Sequence, residues 1–241
     1  MRPHIIQSIL EHAQAEYPNE CCGVIAQKSR VEKYFPCRNL SNNPTEQFQL
    51  APDDYLAASI WGTITGIVHS HPDATTQPSD LDEAQCDFTE LPWHIVSWPE
   101  GDFRTIYPRE DLPLVGRPFV LGIYDCYGLI MSYYRQQYSI ELQDYRVDYP
   151  WWERGENRYI ENVENAGFSE ITGAPQAGDV VLMQVQADVP NHAGILLEGN
   201  LLLHHLYGQL SQKVPYGGYW KDRTIKVVRY GGNNSCYSDN D

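Results

Sequence analysis

Two histidines set two residues apart, His69 and His71, close the apolar run Ile64-Thr65-Gly66-Ile67-Val68, and the residues just beyond them narrow the possible chemistry. The run reads as a strand, and residues i and i+2 of a strand share one face, so both imidazoles point the same way. Pro72 and Pro78 then break the chain, and Ser79-Asp80-Leu81-Asp82 opens a short helical pattern that can return a carboxylate over the histidines. Two His and one carboxylate, with a fourth position open, form the donor set of a catalytic zinc. Ser79-x-x-Asp82 also fits a helix capping box, in which a hydroxyl and an acid satisfy free helical N–H groups. Both readings of this quartet stand at the level of sequence.

The spacing His69-x-His71-x7-Ser79-x2-Asp82 resembles the JAMM motif of the MPN-domain metallopeptidases, with no departure. The resemblance implies an α/β/α domain over residues 1–108 that hydrolyses isopeptide bonds, with Zn2+ on His69, His71 and Asp82. It also implies a glutamate upstream, and Glu20 stands immediately before the apolar run Cys21-Cys22-Gly23-Val24-Ile25. Glu20 would then shuttle the proton and Ser79 would help stabilise an oxyanion.

At 241 residues the chain has room for two domains. Its net charge of −15 divides as −9 over residues 1–108 and −6 over 109–241, so neither half has the basic surplus that binds nucleic acid or an anionic membrane. The six cysteines, at 21, 22, 37, 86, 126 and 236, follow no disulfide-framework spacing and contain no C-x-x-C pair. The N-terminus lacks the apolar core and cleavage site of a secretory signal, and no stretch is long enough to cross a bilayer. A protein made and folded in a reducing cytoplasm is expected.

Apolar periodicity predicts a helix over 3–16, strands over 21–27 and 31–37, a short strand near Phe48, and a helix over 53–61. The His-bearing strand, a helix over 79–88 and a closing pair of strands around Pro99-Glu100-Gly101 complete an α+β unit. Residues 109–118, Pro- and Gly-rich, read as a linker. Beyond it the pattern predicts a helix over 126–137, a helical stretch near 154–165, and strands over 179–186, 192–198, 201–206 and 224–230. Residues 232–241 carry too little apolar surface to order themselves and read as a flexible tail.

In this second half, Cys126 falls at the first turn of an apolar-patterned helix, where the helix dipole favours a thiolate. A nucleophile needs a base, and His192, His204 and His205 lie on two later strands. Asp125-Cys126-x-Gly128-Leu129, the Ala177-Gly178-Asp179 turn, His192-x-Gly194-Ile195 and a His twelve residues after His192 resemble the NlpC-type cysteine peptidases. The resemblance implies a papain-like α+β domain over 119–231, with Cys126 as nucleophile, His192 as base and His204 as the third polar residue. Tyr127 stands where that family commonly has Ser, which alters the shape of the cleft more than the chemistry.

A JAMM domain followed by an NlpC-type domain resembles the tail assembly protein K family of lambda-type phages. The resemblance implies a tail tip component whose partners are other phage tail tip proteins and a peptidoglycan stem peptide as substrate. It would reside in the host cytoplasm during assembly and then at the virion tail tip, and serve wall opening or tail tip maturation. The competing expectation is a non-catalytic structural or chaperone-like assembly factor with vestigial sites.

Overall fold

The structure, a computed structural model, describes residues 1–110 and 112–232. The expected tail at 232–241 lies outside the described residues except for Gly232. The fold is α+β, and the chain divides into two compact units, Met1–Glu110 and Asp111–Asp241. Among the described residues, no helix is long and apolar enough to cross a membrane.

The first unit runs α1 (Pro3–Glu16), β1 (Cys22–Lys28), β2 (Val31–Cys37), α2 (Pro52–Trp61), β3 (Thr63–Pro72), α3 (Asp80–Thr89), β4 (Trp93–Trp98) and β5 (Phe103–Ile106). Its sheet has the order β2-β1-β3-β4-β5. The His-bearing strand β3 is central, antiparallel to β1 and parallel to β4. A parallel pair requires a crossover, which α3 supplies, and this brings the start of α3 back toward the end of β3. Strand alternation then sorts the core. Ile25 and Val68 pack with Ile5, Ile9 and Ala13 of α1, whereas Val24 and Ile67 pack with Ala58 of α2 and Cys86 of α3. Each buried aliphatic side chain contributes about 1.5–3 kcal/mol, and the result is a sheet between two helical layers.

The strand expected near Phe48 does not form; the stretch makes one isolated bridge, Asn39 with Leu50. The Asn39 side chain takes the place of a ladder. Its amide donates to the carbonyls of Glu20 and Gln47 and its oxygen accepts from the backbone of Ser41 and Gln49.

The second unit runs α4 (Cys126–Tyr138), a 3-10 turn (Trp151–Arg154), α5 (Arg158–Asn162), β6 (Phe168–Glu170), β7 (Val180–Met183), β8 (His192–Leu197), β9 (Leu201–His204), β10 (Gln212–Pro215), α6 (Tyr219–Asp222) and β11 (Thr224–Tyr230). The strands form one antiparallel sheet in the order β10-β9-β8-β7-β11-β6. Leu129, Ile130, Tyr133 and Tyr134 of α4 cover one face, against Val180, Leu182, Ile195 and Leu203. Val181, Met183, Leu196 and Leu202 line the other, with Trp220 packed on them. The helical stretch expected near 154–165 is split, because Gly155 takes a left-handed conformation (φ 76°) and ends the first turn. Three short elements, β6, β10 and α6, carry no periodicity long enough to be read from sequence.

Both ends of the expected linker are held. Arg109 pairs with Glu83 and Asp87. Arg117 is buried and donates to the carbonyls of Leu112 and Pro113 and to the Ser132 hydroxyl.

Candidate functional site

In the first unit, β3 delivers His69 and His71 on one face at its end, as the alternation requires, and Asp82 returns over them from the first turn of α3. Their ligand atoms all lie within 4.8 Å of one another. His69 Nε2 is 3.0 Å from His71 Nε2 and 3.2 Å from Asp82 Oδ1, and His71 Nε2 is 3.5 Å from Asp82 Oδ2. His71 Nδ1 sits 2.7 Å from the Thr75 carbonyl, which fixes Nδ1 as the donor and leaves the Nε2 lone pair for an ion. Two imidazole nitrogens and a carboxylate oxygen converging at this spacing fit Zn2+.

The capping and ligand readings of Ser79 and Asp82 hold together. The Ser79 hydroxyl accepts from the Asp82 N–H at 3.1 Å, and Asp82 Oδ2 accepts from the Ser79 N–H at 2.8 Å. The hydroxyl itself donates to the same Oδ2 at 2.8 Å. The hydroxyl expected to meet an oxyanion here orients the carboxylate.

Glu20 arrives by register. Cys22 pairs with His69 across β1 and β3, and continuing that count sets position 20 opposite His71. The Cys21 carbonyl and the Ser70 N–H bond at 3.0 Å, as do the Cys21 N–H and the Ser70 hydroxyl at 2.8 Å, carrying the pairing past the strand end. Burial pushes the Glu20 carboxyl up to about 7, with the His71 charge opposing and that of Asp82 adding. Burial alone would raise Asp82 too, but His69 and His71, which can donate to it when protonated, hold it well below the usual carboxylate range. Burial lowers His69; at His71 the same effect is outweighed by the Asp82 and Thr75 hydrogen bonds, which raise it. Sequence reasoning missed the aromatic setting of His69. Phe48 stacks on its ring at 4.8 Å and Trp93 meets it edge-on at 5.5 Å.

In the second unit, Cys126 is the first residue of α4 and Asp125 is its N-cap, accepting from Gly128 N–H at 2.8 Å and Gly122 N–H at 3.0 Å. Gly128 is required there, because any Cβ would collide with the Ile123 carbonyl of the preceding loop. Cys126 and His192 line one cleft of about 610 Å³, walled by aromatic side chains including Tyr127, Trp151 and Tyr159. Among the described cysteines Cys126 alone is not fully buried.

His192 and His204 lie on adjacent strands with Nε2 of the former 3.1 Å from Nδ1 of the latter. That bond leaves His192 Nδ1 for the cleft. It also places His204, not His205, against His192; His205 lines the cleft edge-on to Phe119. The opening for the His204 ring is Gly194, its cross-strand neighbour, where an added Cβ would stand 3.1 Å from the His204 Cβ. The His204 ring packs on Trp220 at 4.3 Å.

The electrostatics reverse one expectation. Burial, with the Asp125 charge adding, pushes the Cys126 thiol up to about 12, opposite to the shift expected at a helix start. Burial also pushes His192 down to about 3, and His204 and His205 to about 4. Both shifts disfavour the charged forms, thiolate and imidazolium, in the free site, the direction that suits general-base attack over a standing ion pair. Sequence reasoning also missed Tyr159, whose hydroxyl is 3.0 Å from Cys126 Sγ. Nothing local connects two residues 33 positions apart.

Comparison with known proteins gives two domain matches: residues 2–107 match the prokaryotic homologs of the JAB domain, and residues 116–229 match the NlpC/P60 family. The chain is 68% identical over 241 residues to tail tip assembly protein K of Escherichia phage N15, covering 98% of this chain and 99% of that protein. It is 36% identical over 183 residues to tail tip assembly protein K of Escherichia phage lambda, covering 75% of this chain and 89% of that one. Among solved structures, a JAB1/MPN domain protein from Archaeoglobus fulgidus aligns at 22% identity over 42% of this chain and 81% of its own, with a TM-score of 0.30.

Proposed function

The chain belongs to the tail tip assembly protein K family, with a JAB/MPN-like domain and an NlpC/P60 domain, and from that premise we propose that it is a bifunctional hydrolase of the phage tail tip. Its first domain is a zinc-dependent (iso)peptide hydrolase. The second is a thiol peptidase that cuts peptidoglycan stem peptides, for wall opening during infection or for tail tip maturation. The other tail tip proteins are its partners, and its place is the host cytoplasm during assembly and then the virion tail. Residues 1–108 and 119–231 are the working domains and 109–118 the connection in this reading.

One observation carries it: Cys126 at a helix start and a His192–His204 pair at 3.1 Å, with Cys126 and His192 on one cleft. His192 Nδ1 takes the thiol proton as Sγ attacks an amide carbonyl and returns it to the leaving amine, while His204 holds the imidazole through Nε2. In the first domain His69, His71 and Asp82 would hold Zn2+, Ser79 orients Asp82, and Glu20 takes and returns a proton at its carboxylate. Zinc bound there supplies Lewis acidity toward water and a carbonyl oxygen.

The test is digestion of purified peptidoglycan by the full chain, with products read by mass. Shortened stem peptides from wild type and none from Cys126→Ser support the reading; identical product patterns refute it.

A further inference from the structure

The Cys126 sulfur has a side-chain partner to which the Cys126–His192–His204 mechanism assigns no role. Tyr159, on the short helix α5, places its hydroxyl 3.0 Å from Sγ. The ring is set by packing, since Trp151 meets it edge-on at 5.6 Å. A phenylalanine would pack against Trp151 equally well and would bring no polar atom into a buried position. What needs a reason is therefore the hydroxyl. A buried tyrosine O–H finds a hydrogen-bond partner, and the partner here is the reacting atom. By contrast, Tyr127 on the same cleft sends its hydroxyl away, to the Gln143 carbonyl at 2.7 Å.

We propose that Tyr159 is a further catalytic residue of the thiol site, its hydroxyl bonded to the sulfur in the free state and donating to the oxyanion during acyl transfer. This rests on the thiol-peptidase reading of the second domain. An oxyanion on a carbon bonded to Sγ lies about 3 Å from that sulfur, and a donor must stand roughly 2.7–3.1 Å from the oxyanion. A hydroxyl already at 3.0 Å from Sγ needs only rotation about its own C–O bond and a small ring shift to serve both.

During acylation the thiol proton passes to His192 Nδ1 while an S–C bond forms to the amide carbonyl carbon, and the carbonyl π pair moves onto oxygen, where the Tyr159 O–H donates to it. The oxygen pair then re-forms the carbonyl as the C–N bond breaks, and the nitrogen takes the proton from His192. A thioester and a free amine result. Water then adds to the thioester carbon as His192 Nδ1 takes its proton, the Tyr159 hydroxyl faces the second oxyanion as it did the first, and re-formation of the carbonyl breaks the C–S bond, the sulfur taking the proton back from His192 as the carboxylic acid leaves. Burial and the neighbouring Cys126 raise the Tyr159 phenol well above its ordinary value, so it stays a proton-bearing donor throughout.

The experiment uses the full chain and Tyr159→Phe, which keeps the contact with Trp151. Three readouts are expected. Stem-peptide release falls about 100-fold or more in kcat with KM within threefold, the size of effect that loss of one oxyanion donor produces. Alkylation of Cys126 by iodoacetamide at a fixed alkaline pH slows about tenfold, because the hydrogen bond that favours the thiolate is gone. A peptidyl aldehyde, which adds to the sulfur as a hemithioacetal without turnover, binds about 100-fold more weakly. Wild-type kcat in Tyr159→Phe would overturn the proposal. If wild type releases no stem peptide, the substrate reading falls instead, and the aldehyde decides on Tyr159: tighter binding by wild type than by Tyr159→Phe supports it, and equal binding overturns it.

Discussion

Ser79 gives Asp82 both of its donors, backbone N–H and side-chain hydroxyl, and both reach the same carboxylate oxygen, Oδ2, at 2.8 Å. That oxygen also faces His71. One short contact therefore starts helix α3 and aims a candidate metal ligand, so the stability of the helix and the affinity of the site are coupled.

Ser79→Ala tests that coupling. Loss of the cap is expected to destabilise the first domain by about 1 kcal/mol, and loss of the hydroxyl's bond to the carboxylate, with the backbone N–H bond retained, to weaken zinc about 10-fold. Urea unfolding followed by chelator competition measures both, and a variant that loses stability while keeping full zinc affinity would show that the two roles are separable.

Zinc content is the broader check. About one zinc per chain is expected, lost in His69→Ala and in Asp82→Ala and retained in Glu20→Ala, since Glu20 serves the proton and not the ion. Elemental analysis that finds no zinc in folded wild-type protein rules out the metal assignment.

The two sites should fail independently. Cys126→Ser is expected to abolish wall digestion with zinc content unchanged, and a chelator to strip zinc with digestion unchanged. His204→Ala should cost about 10²–10⁴-fold in kcat, the range for a positioned acid–base pair, while His205→Ala, which leaves the His192–His204 bond in place, should cost far less. Equal losses in the two histidine variants would reassign the third residue.

Acid should loosen the second domain first around β8 and β9. His192, His204 and His205 are held down to about 3, 4 and 4 from an ordinary 6.5. Above 6.5 these imidazoles are neutral whether folded or not, and they cost nothing. As pH falls from 6.5 toward 4 the unfolded chain binds protons that the folded one refuses, so stability declines across that window. Protection factors at strands 192–197 and 201–204, which take out the intrinsic slowing of amide exchange in acid, should fall between pH 6.5 and 5, above the ordinary carboxylate range; protection that stays flat there contradicts the buried neutral state.

Legibility of the sites depended on distance along the chain. His69, His71, Ser79 and Asp82 lie within one strand–loop–helix passage, so spacing and strand periodicity were enough to bring them together, whereas Glu20 was marked only by the family resemblance and its place beside them rests on the β1–β3 register. Phe48, Tyr159 and Trp220 reach their histidines or thiol from separate segments, and only packing brings them there. The split of the stretch near 154–165 turned on Gly155 taking a positive φ, which a helical pattern of apolar residues does not reveal. The thiol was misjudged for a physical reason. A helix-start position argues for a low pKa, but burial, with an adjacent carboxylate at Asp125, pushes it up, and burial is not visible before the fold is.

Gly194 makes the His192–His204 pair depend on a position that does no chemistry. An added methyl there would meet Leu202 Cδ1 at 2.7 Å and the Leu203 carbonyl at 3.0 Å as well as His204. A single missense change to alanine would therefore displace the Leu202 side chain and press on the strand that carries His204, while leaving cysteine and both histidines in place in the sequence. A comparison of sequences that looks only for Cys126, His192 and His204 would not register such a change.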